Sequence, residues 1–322
     1  LRLVGREARS EVCALRPSDT VLERAFLDDD VIEAGWRGAG AVVDRCLAIE
    51  AEHAGDPRSG LTSIVRAMGN AGLTRLVTGD VSWRAVCLAR ERLGHASPLL
   101  DLAFAMQGLG SYPITLAGSD EQQRRHLRGM LSGEHVMAFA LTEPSAGSDL
   151  DGLATTARRD GDAYVLDGHK VLISNAPIAD TFTVFAATKP AGEPRRVSAF
   201  VVRRDLAGMS TEASAVLGGH PIGEVRFERA RVPIEDRLGD EGDGMRIALG
   251  TLHRFRTTVG AAALGFGQRA LDESIRHAKS RVQFGEPLAA LQAVQLRLAD
   301  MACELEAARL LVYRAAAIAD RR

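Results

Sequence analysis

The chain has 322 residues, 46% of them apolar and 25% charged, with a formal net charge of −2. That length supports two or three domains with a sizeable core. The near-neutral balance gives no electrostatic reason to expect nucleic acid or an anionic membrane as partner, and no apolar run approaches the length of a membrane span.

Residues 1 to about 133 read mostly as helix. The first part is the least legible: Glu11, Arg16 and Arg24 lie among apolar residues without strand alternation. Ala41 to Ala54 reads as a helix closed by Gly55 and Pro57. Gly60 to Gly72 reads as another, with Leu61, Ile64, Val65 and Met68 on one face. Trp83 to Leu93 and Pro98 to Gly108 follow. Ser119-Asp-Glu-Gln-Gln123 is a helix start with carboxylates in its first turn.

From Glu134 to Pro233 the pattern changes to short alternating runs. Strands are expected at 136–141, 154–159, 163–166, 171–174, 182–187, 197–203 and 224–229. They are separated by turns such as Asp160-Gly161 and Asp167-Gly168. So many short strands suggest a small β-barrel or sandwich.

From Asp243 the chain is helical again. Met245 to Ser280 reads as one long helix, with Gly260, Ala261, Ala262, Ala263 and Gly265 open to a close neighbour. Gly285 and Pro287 break it. A second helix is expected from Leu288 onward. Leu291, Val294, Leu298, Met301, Leu305, Ala308 and Val312 form its bundle seam. A seam needs partners, from another subunit or from further chain. Leu1 rather than Met stands first, which leaves room for upstream residues, and no signal-peptide core follows it.

Cys13, Cys46, Cys87 and Cys303 are scattered, which suits a reducing cytoplasm and no disulfide framework. The eight histidines are dispersed, so no metal site is expected. No phosphate-loop motif occurs. Gly108-Leu-Gly110 runs into Ser-Tyr-Pro, so the dinucleotide fingerprint is absent too.

The most informative stretch runs from Phe139 to Ser148, followed by Asp149. An apolar strand feeds into Thr142-Glu-Pro-Ser-Ala-Gly-Ser148. Pro144 fixes one φ, Gly147 permits a turn, and three hydroxyls stand beside freed backbone N–H groups. Such a turn can cradle a flat polar ring or a phosphate, and it can equally be an ordinary β-turn. Gly168-His-Lys-Val-Leu-Ile-Ser-Asn175 follows. Arg281-Val-Gln-Phe-Gly285 with Gln292 comes much later.

These three motifs, in this order, resemble the acyl-CoA dehydrogenase family, whose flavin loop reads Thr-Glu-Pro-x-Ala-Gly-Ser-Asp. The resemblance runs from about Glu91 to the end of the sequence. It implies an α+β multidomain fold: a helical N-terminal domain (1–133), a β-barrel flavin-binding domain (134–236) and a C-terminal helical bundle (237–322), incomplete within these residues. It implies noncovalent FAD and removal of an α proton and β hydride from an acyl-CoA or acyl-carrier-protein thioester. An electron-transfer flavoprotein or another acceptor, and a homotetramer or dimer, are implied on the same ground.

By that carry-over Phe139, Leu141 and Thr142 meet the flavin ring and Ser148 the pyrophosphate region and substrate. Leu172, Ile173 and Ser174 lie against the flavin face. Arg281, Phe284 and Gln292 meet the FAD of a neighbouring subunit. Arg281 has a rival reading as a cation complementing a helix C-terminus. Phe255 and Arg256 fall at the substrate site, Arg256 reading equally well as a surface ion-pair partner.

The sequence departs from the family in three places. Leu172 stands where the family has Trp, which keeps the wall apolar but reduces stacking area. The segment Leu76 to Ser82 is short where the family has a Tyr-Gly-Gly-like loop. Phe255 occupies the helical position of the proton-abstracting glutamate, and His253-Arg-Phe-Arg256 holds no acid. Glu143 lies near the flavin loop, yet its place in Thr-Glu-Pro argues for structure. The base is therefore expected beyond Arg322. Two other readings stay open: a flavin monooxygenase of the same fold, and a noncatalytic subunit completing a partner's flavin site.

Overall fold

The computed structural model describes residues 27–188, 196–216 and 219–321. Glu11, Arg16, Arg24 and Cys13 lie outside them. The described residues divide into two compact units, one of residues 42–81 and 99–256, the other of 27–41, 82–98 and 257–321. Among the described residues no helix is long and apolar enough to cross a membrane, and no group of His, Cys, Asp and Glu could hold a metal ion.

The helices are α1 (Asp29–Ile32), continued by a π turn at Glu33–Arg37, α2 (Gly38–Glu52), α3 (Pro57–Asn70), α4 (Trp83–Ala96), α5 (Pro98–Ala117), α6 (Asp120–Ser132), α7 (Gly244–Ser280) and α8 (Gln292–Ala319). The strands are β1 (Met137–Ala140), β2 (Thr156–Asp160), β3 (Ala163–Ser174), β4 (Thr181–Ala187), β5 (Val197–Arg203), β6 (Met209–Ala213), β7 (Ile222–Pro233) and β8 (Arg237–Leu238). A small pair, β9 (Val282–Gln283) and β10 (Glu286–Pro287), separates α7 from α8.

In the first unit β1 to β8 form one sheet, ordered β6-β7-β3-β2-β4-β5-β8, with β1 parallel to β4. The β2–β3 hairpin turns at Asp160-Gly161, where Gly161 takes a φ of +64°. Asp167-Gly168, expected as a turn, instead sits inside one twelve-residue strand at a register shift against β7. Gly168 is there for space: a Cβ would stand 2.4 Å from the Thr155 hydroxyl. β6 is a further strand whose short, mostly polar sequence carries no alternation signal.

The helices of this unit correct two expected boundaries. α3 begins at Pro57 rather than after it, with Asp56 accepting from Ser59 N–H as N-cap. α5 continues nine residues past Gly108, through Pro113, to Ala117. Its glycines serve close packing. A Cβ on Gly108 would meet the Phe255 ring at 2.8 Å, and one on Gly110 would meet Met137 Cβ at 2.7 Å. At α6 the capping box of Ser119 and Gln122 is present as the sequence suggests.

In the second unit α4, the later part of α7 and α8 pack together. The small-residue stretch of α7 is used as expected: a Cβ on Gly265 would stand 2.3 Å from the Glu91 carbonyl. α8 starts at Gln292, because Leu291 is extended and closes a single 3₁₀ turn at Leu288–Ala290. Its seam also differs from the apolar row read in the sequence. Val294, Leu298, Met301, Leu305 and Val312 are half-buried and Ala308 is exposed, while Arg309, Tyr313 and Ala316 are enclosed. The cause is Glu91 on α4. Its carboxylate accepts from Arg309 Nε at 2.9 Å and from Tyr313 Oη at 2.7 Å. A buried carboxylate needs such partners, so a cation and a phenol occupy positions that apolar periodicity leaves out.

Candidate functional site

β1 ends at Ala140, and the chain leaves the sheet at Leu141 and Thr142. Two consecutive residues of β3 hold it there. Lys170 Nζ donates to the Leu141 carbonyl at 3.1 Å, and Val171 N–H donates to the Thr142 carbonyl at 3.0 Å. Beyond Thr142 the backbone folds on itself, Glu143 and Ala146 exchanging N–H···O bonds of 2.9 and 3.1 Å around Pro144-Ser145. Ser145 Oγ then donates to the Gly152 carbonyl at 3.1 Å. The hydroxyl-rich turn is thus a closed loop built on the β1–β3 junction.

Glu143 is structural, as its place in the motif suggests. Its carboxylate accepts from Lys170 Nζ at 2.7 Å, from Thr155 N–H at 3.1 Å and from Ala154 N–H. Both charged side chains are closed off from solvent, at 0% and 1% exposure. Burial works against the Glu143 charge. The Lys170 ammonium and the donors from Thr155 and Ala154 outweigh it and hold the pKa below the usual glutamate value.

β3 carries the facing wall. A register shift between Lys170 and Ile173 puts Leu172 at a φ of +55°, with its side chain 62% exposed. A left-handed backbone at a branched residue costs about 1–2 kcal/mol and persists only where the surroundings enforce it. Ile173 is buried and Ser174 half-buried. Asn175, also at positive φ and fully buried, anchors the end: its Nδ2 donates to the Met137 carbonyl at 3.0 Å. Arg204 clamps the loop that follows, donating to the Ala176 and Ala179 carbonyls and to Thr211 Oγ1.

Four donors of these segments remain uncommitted. The Thr142 N–H and the hydroxyls of Thr142, Ser148 and Ser174 hydrogen-bond to no other described residue. On β3 the exposed Leu172 and the buried Ile173 precede Ser174. On β1 the Phe139 ring packs 4.9 Å from that of Phe185. These residues are the ones read as flavin contacts from the sequence, and the junction contacts join the segments 141–142 and 170–171 on which several of them lie.

The remaining candidates fall elsewhere. Phe255 is buried on α7, edge-on to Tyr112 with ring centroids 5.8 Å apart, and Arg256 beside it is exposed. Arg281, Phe284 and Gln292 belong to the helical unit, all exposed, around the β9–β10 hairpin. Phe284 and Gly285 take φ of +54° and +84°, and Phe284 is 93% exposed. Positive φ at both central residues is the two-residue hairpin geometry that ordinarily selects Asn-Gly.

Lys170, Asn175 and Arg204 were missed as site residues. For Lys170 the signal was present: a lone cation in the apolar run of a strand, with Glu143 the acid of the neighbouring motif.

The descriptions "Acyl-CoA dehydrogenase, N-terminal domain", "middle domain" and "C-terminal domain" match residues 37–134, 138–230 and 242–322. The chain belongs to the acyl-CoA dehydrogenase family. Within the family it is 40% identical over 237 residues to a 3-(aryl)acrylate reductase of Clostridium sporogenes, covering 72% of this chain and 63% of that protein. It is 42% identical over 216 residues to an acyl-CoA dehydrogenase of Bacillus subtilis, covering 66% and 57%. The subunit CarC of the caffeyl-CoA reductase–Etf complex of Acetobacterium woodii is 37% identical over 261 residues, covering 80% and 67%. The chain therefore spans about three fifths of the first two of these relatives. Among solved structures, a glutaryl-CoA dehydrogenase in complex with glutaryl-CoA superposes with a TM-score of 0.75 at 37% identity, covering 80% of this chain and 68% of that one. The FAD complex of a Bacillus anthracis acyl-CoA dehydrogenase gives 0.83 at 30%, covering 97% and 53%.

Proposed function

We propose that the protein binds FAD at the β1–β3 junction and dehydrogenates an acyl-CoA or acyl-carrier-protein thioester between its α and β carbons. The observation that carries this reading is the 3.0 Å bond from Val171 N–H to the Thr142 carbonyl. It joins the Thr-Glu-Pro turn to β3, the two segments whose uncommitted donors and apolar Leu172 and Ile173 this reading assigns to one site. That combination fits a flat ring with polar edges. FAD, when bound, supplies the hydride acceptor.

The chain's own residues have these roles in the proposal. The Leu141–Thr142 segment holds the polar edge of the ring, and Ser174 reaches its reactive side. Leu172, Ile173 and Phe139 exclude water from one face. Ser148 meets the pyrophosphate region and the thioester. Arg256 attracts the substrate, and Phe255, buried against Tyr112, closes an apolar wall. Phe255 cannot take a proton, so abstraction falls to a carboxylate outside 253–256. Arg281, Phe284 and Gln292 meet the FAD of a second copy, which makes the working form a homotetramer or dimer. An electron-transferring flavoprotein is the favoured acceptor, in line with the name of the Acetobacterium relative. The domain limits 1–133, 134–236 and 237–322 and a cytoplasmic location belong to the same proposal.

A second reading, oxygen activation on the same fold, is favoured by one feature. Leu172, 62% exposed, shields the flavin face less than an indole would. Mass spectrometry of the thioester after turnover separates the two. Dehydrogenation yields a product two hydrogens lighter, whereas hydroxylation adds an oxygen atom. An unmodified thioester with every acyl group tried contradicts both.

A further inference from the structure

We propose that Lys170 is a positioning residue for the flavin: it turns the Leu141–Thr142 peptide so that the Thr142 N–H faces the ring, and it strengthens that donor. The inference rests on the flavin reading above.

The geometry is specific. Lys170 Nζ has three acceptors: the Leu141 carbonyl at 3.1 Å, Glu143 Oε1 at 2.7 Å and the Phe185 carbonyl at 2.6 Å. An ammonium has three N–H donors, so its hydrogen-bonding capacity is filled. The Leu141–Thr142 peptide is trans, since the described chain contains no cis bond. In a trans peptide the carbonyl and the next N–H point in opposite directions. Drawing the Leu141 carbonyl inward to Lys170 therefore turns the Thr142 N–H outward, where it has no partner among the described residues. The next peptide is fixed in the same way by Val171. Two successive peptides of the loop are held from behind by two successive residues of β3.

Stability alone gives little reason to bury this pair. A fully enclosed ion pair is often matched or bettered by apolar residues of similar size. Its location explains it better. The charge sits on the carbonyl side of a peptide whose N–H has no partner among the described residues, and a cation there polarises the amide toward a stronger donor. A donor of that kind favours the electron-rich, reduced state of a bound ring over the oxidised state.

The test uses the full chain loaded with FAD. The double variant Lys170→Met/Glu143→Gln removes both charges, and Glu143→Gln alone retains the shape of the acid. Far-UV circular dichroism checks the fold. FAD affinity, the visible flavin spectrum and the two-electron reduction potential are then measured. We expect the folded double variant to bind FAD about tenfold more weakly. We expect its reduced state to be disfavoured by a further factor of about ten, a potential lower by ~30 mV. Glu143→Gln keeps the Lys170 cation and removes its counter-charge, so it is expected to raise the potential rather than lower it, and a potential unchanged or lowered in that variant would overturn the inference where the double variant does not fold. Affinity, spectrum and potential all equal to wild type in a folded variant would reduce the pair to a brace and overturn the inference. A wild-type protein that takes up no FAD would overturn the flavin reading itself, and this inference with it.

Discussion

Arg309 and Glu91 meet at 2.9 Å inside the helical unit, on helices 218 residues apart in sequence, with neither side chain more than 9% exposed. Burial opposes the Arg309 charge, and the fields of Glu91 and Glu306 outweigh it and raise its pKa. Arg309→Met leaves Glu91 enclosed with only the Tyr313 hydroxyl. Removing one partner of a buried pair costs about 3–5 kcal/mol, so the urea midpoint should fall sharply. A midpoint unchanged within error would show that Glu91 finds water or another donor.

Gly265 makes the same helix contact sensitive to a single methyl. With a Cβ only 2.3 Å from a backbone carbonyl, Gly265→Ala must push α7 away from α4. The expected loss is about 1–3 kcal/mol of unfolding free energy. The better helix propensity of alanine offsets no more than about 1 kcal/mol of it.

The Lys170–Glu143 pair predicts a pH dependence of definite sign. The Glu143 pKa in the folded state lies below its ordinary value of 4.5. The folded protein therefore binds fewer protons there than the unfolded chain. The stabilisation is complete above that value and is lost as pH falls through it toward the folded pKa. Urea unfolding between about pH 6 and about pH 3 should lose stability more steeply for wild type than for Lys170→Met/Glu143→Gln. Parallel curves would contradict the assignment.

Ser174→Ala deletes a half-buried hydroxyl that no other described residue uses. Stability should change little. FAD affinity should drop by about tenfold, the value of a hydrogen bond near the upper end of the usual range. A large loss of stability with unchanged affinity would assign Ser174 to the fold.

Phe284→Asn replaces a 93% exposed ring with a residue suited to its positive φ. The unfolding midpoint should hold or rise. If the ring stacks on a partner copy's cofactor, FAD affinity should fall by about tenfold, since such stacks contribute about 1–3 kcal/mol. Unchanged affinity would leave the hairpin without a cofactor role.

The legible parts of the sequence were those with a local cause. The Asp160-Gly161 hairpin and the Ser119 cap are set by neighbouring residues, and both appear where expected. The contiguous run from Leu141 to Ser148 and the segment 172–174 supply the residues that the flavin proposal uses. What escaped was decided across the fold. Gly108 and Gly168 read as breaks but are contact points for Phe255 and Thr155. Arg309 interrupts an apolar seam because Glu91 lies opposite it. Lys170 stands out as a cation beside an apolar run, but its role is set by Glu143, 27 residues earlier.

The account turns on electrons reaching a flavin held at the β1–β3 junction. The direct measurement is anaerobic: load the protein with FAD, record the oxidised flavin band, and add acyl-CoA and acyl-carrier-protein thioesters one at a time. The account predicts that one of them bleaches the band, and that the extent of bleaching falls in Lys170→Met/Glu143→Gln. A protein that binds FAD and whose flavin no thioester reduces would contradict it.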